Sequence, residues 1–148
     1  MTRYRLHESL GYRLSVSARQ QERRLDEQLR RIGLTRTTWC ILLAVGNEEM
    51  EQPSDIASFV GIDRTATSRA LRQMEDAGLL ARENGTEDRR TRQVRLTAKG
   101  RNCIEKGTPF ARENNQRLAQ TLSDSDLEEL KDLLDRIIAA DDRDLSAL

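Results

Sequence analysis

Apolar residues return with helical spacing along most of the chain. Leu6, Leu10, Leu14, Ala18, Leu25, Leu29 and Ile32 recur at intervals of three, four or seven, the repeat of one buried helix face. This predicts a long helix from residue 6 to about 31, stopped by Gly33. Thr35 fits the N-cap of a second helix, with Leu34 and Trp39 spaced as a hydrophobic staple. That helix takes in TTWCILLAV and ends near Gly46. After the acidic loop NEEMEQ, Pro53 suits the first turn of a short third helix, PSDIASFV. Gly61 breaks it, Asp63 can cap the next, and RTATSRALRQMEDA continues to Gly78. LLARE and QVRL, around 79–83 and 93–96, read as strands. Thr97 caps a helix reaching about residue 121, with a bend expected near Gly107-Thr108-Pro109. Ser123 caps the last helix, where residues 127, 130, 133, 134, 137 and 138 form one apolar stripe. The pattern is mainly α with one small β-hairpin.

The pair of helices around Gly61 has the form of a helix-turn-helix. Ala57 is small where the two would cross, and Gly61 suits the tight turn. Around the following helix, Thr67, Ala70, Leu71 and Met74 gather on one side. Arg64, Thr65, Ser68, Arg69 and Arg72 lie away from them. The first set is expected to pack on a core, leaving the second as hydroxyls and guanidiniums able to reach base edges and phosphates in a major groove.

The hairpin has two candidate registers. Asn84-Gly85 invites a two-residue turn, but that pairing strands Val94 and Leu96 opposite polar residues. Matching them with Leu79 to Ala81 centres the hairpin near Asp88 and projects Glu87 to Arg92 at its tip. Arg89, Arg90, Arg92 and Arg95 then stand close together and repel. Asp88 and Arg90, two apart, can pair and fix the tip's shape. An exposed ion pair is worth only about 0 to 1 kcal/mol, so stability explains the cluster poorly. Phosphates between the guanidiniums relieve the repulsion, and a narrow minor groove attracts arginine for the same reason. The expectation is a wing that touches DNA.

Charge sharpens this reading. The chain of 148 residues carries 25 basic and 25 acidic side chains, for a formal net charge of zero. The signs are segregated. Residues 1–36 balance to +5 and 37–62 to −4, while 63–107 come to +4 and 108–148 to −5. Twenty-two of the bases are arginine, whose planar fork suits phosphate and guanine better than lysine does. Length suits one domain. No apolar run is long enough to span a bilayer and no secretory signal is visible, so a cytoplasmic location with no membrane partner is expected.

The order helix-turn-helix, then LRQMEDAGLLARE, then Asp88-x-Arg90 followed by LTAKG, resembles the MarR family of winged helix-turn-helix regulators. Leu96, Thr97 and Gly100 complete the wing signature, and GLTRTTWCILLAV and the long flanking helices extend the likeness over nearly the whole chain. The resemblance implies a homodimer whose first and last helices interlock (about 1–33 and 108–148), flanking a DNA-binding lobe at about 34–107. It implies binding to a pseudo-palindromic double-stranded operator, as a repressor released by a small aromatic or other effector, although activators also exist in the family. Arg64, Thr65, Ser68, Arg69 and Arg72 fall on the recognition helix. Arg89, Arg90 and Arg92 fall on the wing, with Asp88 orienting it.

Other residues carry weaker signals. Tyr12, Arg13 and Trp39 are candidates for a ligand pocket between dimer helices and DNA-binding lobe, against core packing for Trp39 and solvent exposure for Arg13. Cys40 lies in an apolar run and reads as a core residue. Cys103 has Arg101 and Lys106 nearby, which lower a thiol pKa if it is exposed. A thiol-based redox sensor is therefore one alternative, and a winged helix used only for protein contacts is another. His7 is the sole histidine. It offers no dyad or metal cluster within one chain, and no nucleophile with a base or glycine-rich phosphate loop is apparent. Neither an enzyme nor a cofactor is expected.

Overall fold

A computed structural model describes residues 2–84 and 92–140, with residues 84 and 92 described by backbone alone. The elements are α1 (Leu10–Arg30), α2 (Arg36–Gly46), α3 (Pro53–Val60), α4 (Arg64–Asp76), β1 (Leu80–Asn84), β2 (Arg92–Leu96), α5 (Ala98–Ala119) and α6 (Asp124–Ala140). The first helix begins later than its apolar spacing suggests. Leu6–Glu8 form a single 3-10 turn, and Ser9 then caps α1 by accepting the Tyr12 N–H at 3.3 Å. A serine in extended conformation offers the helix a better start than the apolar period does.

Other starts follow the expected caps. Thr35 and Thr38 exchange hydrogen bonds in a capping box ahead of α2. Ser123 Oγ accepts the Asp126 N–H at 3.1 Å ahead of α6. α5 stays helical through Pro109. Gly107 there serves a neighbour: the Trp39 ring lies so close that a Cβ would overlap it.

β1 and β2 pair antiparallel, with Leu80 opposite Leu96, Arg82 opposite Val94 and Asn84 opposite Arg92. This register is centred on Asp88, as pairing the apolar residues requires. The Val94 N–H also reaches the Glu51 carbonyl at 2.8 Å, tying β2 to the loop before α3.

The core is concentrated in one lobe. Leu29, Ile41, Leu42, Ile56, Leu71, Met74 and Val94 are fully buried within it, drawn from α1 to α4 and the hairpin. The second half of α1 belongs to this core through Leu25, Leu29 and Ile32. The arms differ. No residue of α6 is buried, and Leu10 and Ile138 keep 66% and 68% of their surface exposed.

Candidate nucleic-acid interface

The site begins with a turn. Gly61 ends α3 in the left-handed region at φ 75°, where a side chain would be strained. The Ala57 carbonyl takes the N–H of Gly61 at 2.9 Å and that of Ile62 at 3.3 Å. Asp63 then caps α4 by accepting the Ala66 N–H at 2.7 Å. A buried hydroxyl on the inner face is also satisfied, since Thr67 Oγ1 donates to the Asp63 carbonyl at 2.8 Å.

These bonds fix which face of α4 turns inward. Thr67, Ala70, Leu71 and Met74 are buried. Arg64, Thr65, Ser68, Arg69 and Arg72 are exposed on the same helix. No carboxylate pairs with Arg64, Arg69 or Arg72 among the described residues. Three free guanidiniums and two hydroxyls on one exposed helix face form a surface for phosphates and base edges.

Recognition helices need a rigid seat, and the LTAKG segment supplies it. Lys99 Nζ lies 2.8 Å from the Ala77 carbonyl, placing a cation at the C-terminal end of α4. Gly100 packs so tightly under Leu79 that a Cβ would overlap the Leu79 carbonyl. The sequence marks Thr97 only as a helix cap; the contacts of Lys99 and Gly100 leave no periodic signal.

The hairpin changes one part of the arginine reading. Arg95 is neutralised within the chain: Nη1 lies 2.8 Å from Glu51 and Nε 3.7 Å from Glu83. Its charge therefore does not need a phosphate to relieve repulsion. Asp88, Arg89 and Arg90 lie outside the described residues. Arg92 is seen only as a strand position opposite Asn84.

The three candidate ligand-pocket residues are not gathered at one place. Trp39 is 4% exposed and packed in the core. Arg13 Nε donates to the His7 carbonyl at 3.0 Å, and the His7 and Tyr12 rings meet edge to face at 5.0 Å. Tyr12 lines a groove of about 740 Å³ with Val16, Arg19, Gln20, Arg23 and Arg24, without Trp39. Both cysteines are free. Burial pushes the Cys40 thiol up despite the nearby Arg36 charge. Cys103 is buried, which removes the exposure that a reactive thiolate at that position needs.

A helix-turn-helix with an arginine-bearing exposed helix, followed by a β-hairpin, is a winged helix-turn-helix. Residues 32–91 match the model of the MarR family. Over 95% of this chain and 100% of the other, the fold matches BpsR of Bordetella bronchiseptica at a TM-score of 0.86 and 23% identity; that structure concerns regulation of its DNA binding by 6-hydroxynicotinic acid. A probable transcriptional regulator from Pseudomonas aeruginosa is 26% identical, with a TM-score of 0.80 over 90% of this chain and 99% of the other. MepR of S. aureus, in complex with DNA, matches at 22% identity and a TM-score of 0.82 over 89% and 98%. The chain belongs to the MarR family of winged helix-turn-helix, DNA-binding transcription regulators.

Proposed function

We propose that the protein is a ligand-responsive repressor that binds a pseudo-palindromic operator as a homodimer in the cytoplasm. The observation that carries this reading is the exposed face of α4, where Arg64, Arg69 and Arg72 stand unpaired beside Thr65 and Ser68. A helix so equipped enters a major groove with Arg64 to Arg72 on base edges and phosphates. Arg89, Arg90 and Arg92 reach the flanking minor groove, oriented by Asp88. A dimer occupying two half-sites excludes other proteins from the same DNA, which is repression.

Two recognition helices must sit about 34 Å apart to meet successive major-groove faces. The arms support that arrangement. Leu10, Leu14, Leu130, Ile137 and Ile138 leave apolar surface uncovered on α1 and α6, more than a soluble monomer usually shows. We assign about 1–33 and 108–148 to dimerisation and about 34–107 to the DNA-binding lobe. Response to a small molecule is supported by the likeness to BpsR, whose DNA binding responds to 6-hydroxynicotinic acid.

The test is a gel shift on DNA upstream of the protein's own gene, across a salt series. A specific complex that weakens steeply with salt is expected, because counterions are released from neutralised phosphates. A folded protein that shifts neither this nor any genomic fragment points instead to a winged helix used for protein contacts.

A further inference from the structure

A cavity of about 430 Å³ opens where the end of α1, the start of α2 and the turn between α3 and α4 meet. Leu34, Cys40, Val60 and Ile62 give it apolar walls, and Arg30 and Thr37 give it polar groups. Two charged residues in its lining are already spoken for. Arg36 Nη1 lies 2.6 Å from Glu22, and its Nε lies 2.7 Å from Asp26. Arg30 differs: it is exposed, and no carboxylate pairs with it among the described residues.

The balance is one uncompensated cation beside an apolar interior. Small-molecule sites have this volume and this makeup, mostly apolar with a few polar groups that orient the ligand. We propose that this cavity is the effector site and takes a small monoanion with an apolar body, its carboxylate on Arg30 and Thr37. The inference rests on the ligand-responsive reading above and names the site and ligand class. A dianion is disfavoured because Arg36 is occupied and a second charge has no cation to meet it. The wall is kept apolar by the Cys40 thiol, which burial holds in its neutral form.

Position gives the site its effect. Val60 and Ile62 flank Gly61, the pivot of the helix-turn-helix, while Asp26 and Arg30 stand on the opposite wall. A ligand that fits one spacing of these walls better than another biases the seat of α4 and hence DNA affinity.

Phenylbutyrate and its uncharged amide, phenylbutanamide, are suitable probes, titrated calorimetrically into the full-length protein. The carboxylate is expected to saturate and to bind at least about tenfold more tightly than the amide, as one charge-assisted contact allows. Arg30→Gln, at an exposed position that leaves the core intact, should erase that difference. A second readout needs no variant: bound phenylbutyrate should slow iodoacetamide alkylation of Cys40 and leave buried Cys103 unchanged. Operator affinity should fall by about tenfold or more when the probe saturates, within the usual range of coupling. The site assignment is overturned if phenylbutyrate fails to saturate at millimolar concentration, or if the amide binds equally well. It is also overturned if Arg30→Gln keeps the preference, or if Cys40 stays unprotected. An operator complex that forms normally yet ignores the probe sinks this site alone. Absence of any operator complex without probe sinks the DNA-binding reading instead.

Discussion

The Thr97 hydroxyl lies 2.6 Å from the Gly78 carbonyl, joining the end of the recognition helix to the start of α5. The same hydroxyl is 2.9 Å from the Leu79 carbonyl and accepts the Gly100 N–H at 3.1 Å. One side chain thus caps α5 and holds the chain leaving α4. Thr97→Val keeps the shape and loses both functions. We expect it to lower stability by about 1–2 kcal/mol, as read from urea unfolding. An unchanged midpoint and slope would show that the clamp is redundant with Lys99.

The recognition face separates from the fold. Arg72 is exposed and unpaired among the described residues, so Arg72→Ala should leave the thermal midpoint nearly unchanged. If Arg72 reads a base, operator affinity should fall by about 1–3 kcal/mol, mainly on specific sites. Equal affinity in a folded Arg72→Ala dimer would falsify its placement in the groove.

The arginines of the hairpin divide by partner. Arg90 has its expected role at the tip, so Arg90→Ala should flatten the plot of log affinity against log salt. Each subunit contributes, giving a loss of up to about two units of slope. Asp88→Ala should be milder, because the Arg90 guanidinium remains and only its orientation is lost. Arg95→Gln should leave the slope alone, since Glu51 and Glu83 already hold that charge. Salt titrations of all three variants on one operator check the ranking.

Removing the last helix tests the arms. Leu130, Leu133, Ile137 and Ile138 are all exposed on α6. Truncation after Ser123 should give monomeric or insoluble protein without tight operator binding. A full-length chain that sediments as a well-folded monomer at micromolar concentration would end the dimer proposal.

Cys40 carries a pH signature. Its pKa is raised first by burial, with Arg36 opposing, so the folded protein favours the neutral thiol. That contribution to stability is complete below the unfolded thiol pKa and fades as pH rises through the folded one. Alkylation of Cys40 by iodoacetamide should therefore lag behind that of the unfolded chain, with its midpoint displaced to higher pH. A midpoint below that of the unfolded chain would revive a redox role.

The sequence alone determined the elements and the faces they present. Thr35, Asp63, Thr97 and Ser123 could be recognised as caps because a cap acts on backbone groups within its own first turn. The two sides of α4 were legible because helical geometry sorts Thr67, Ala70, Leu71 and Met74 from Arg64, Thr65, Ser68, Arg69 and Arg72. Even the hairpin register followed from pairing apolar residues around Asp88. Tertiary structure decided what no local period encodes. It gave Arg95 to Glu51 and Glu83, set Gly107 beneath Trp39, turned Thr97 toward Gly78, and enclosed Arg30 and Cys40 around one cavity. Caps and periodic faces depend on chain neighbours a turn or two away. These partnerships join side chains distant in sequence, and they exist only once the core has brought the elements together.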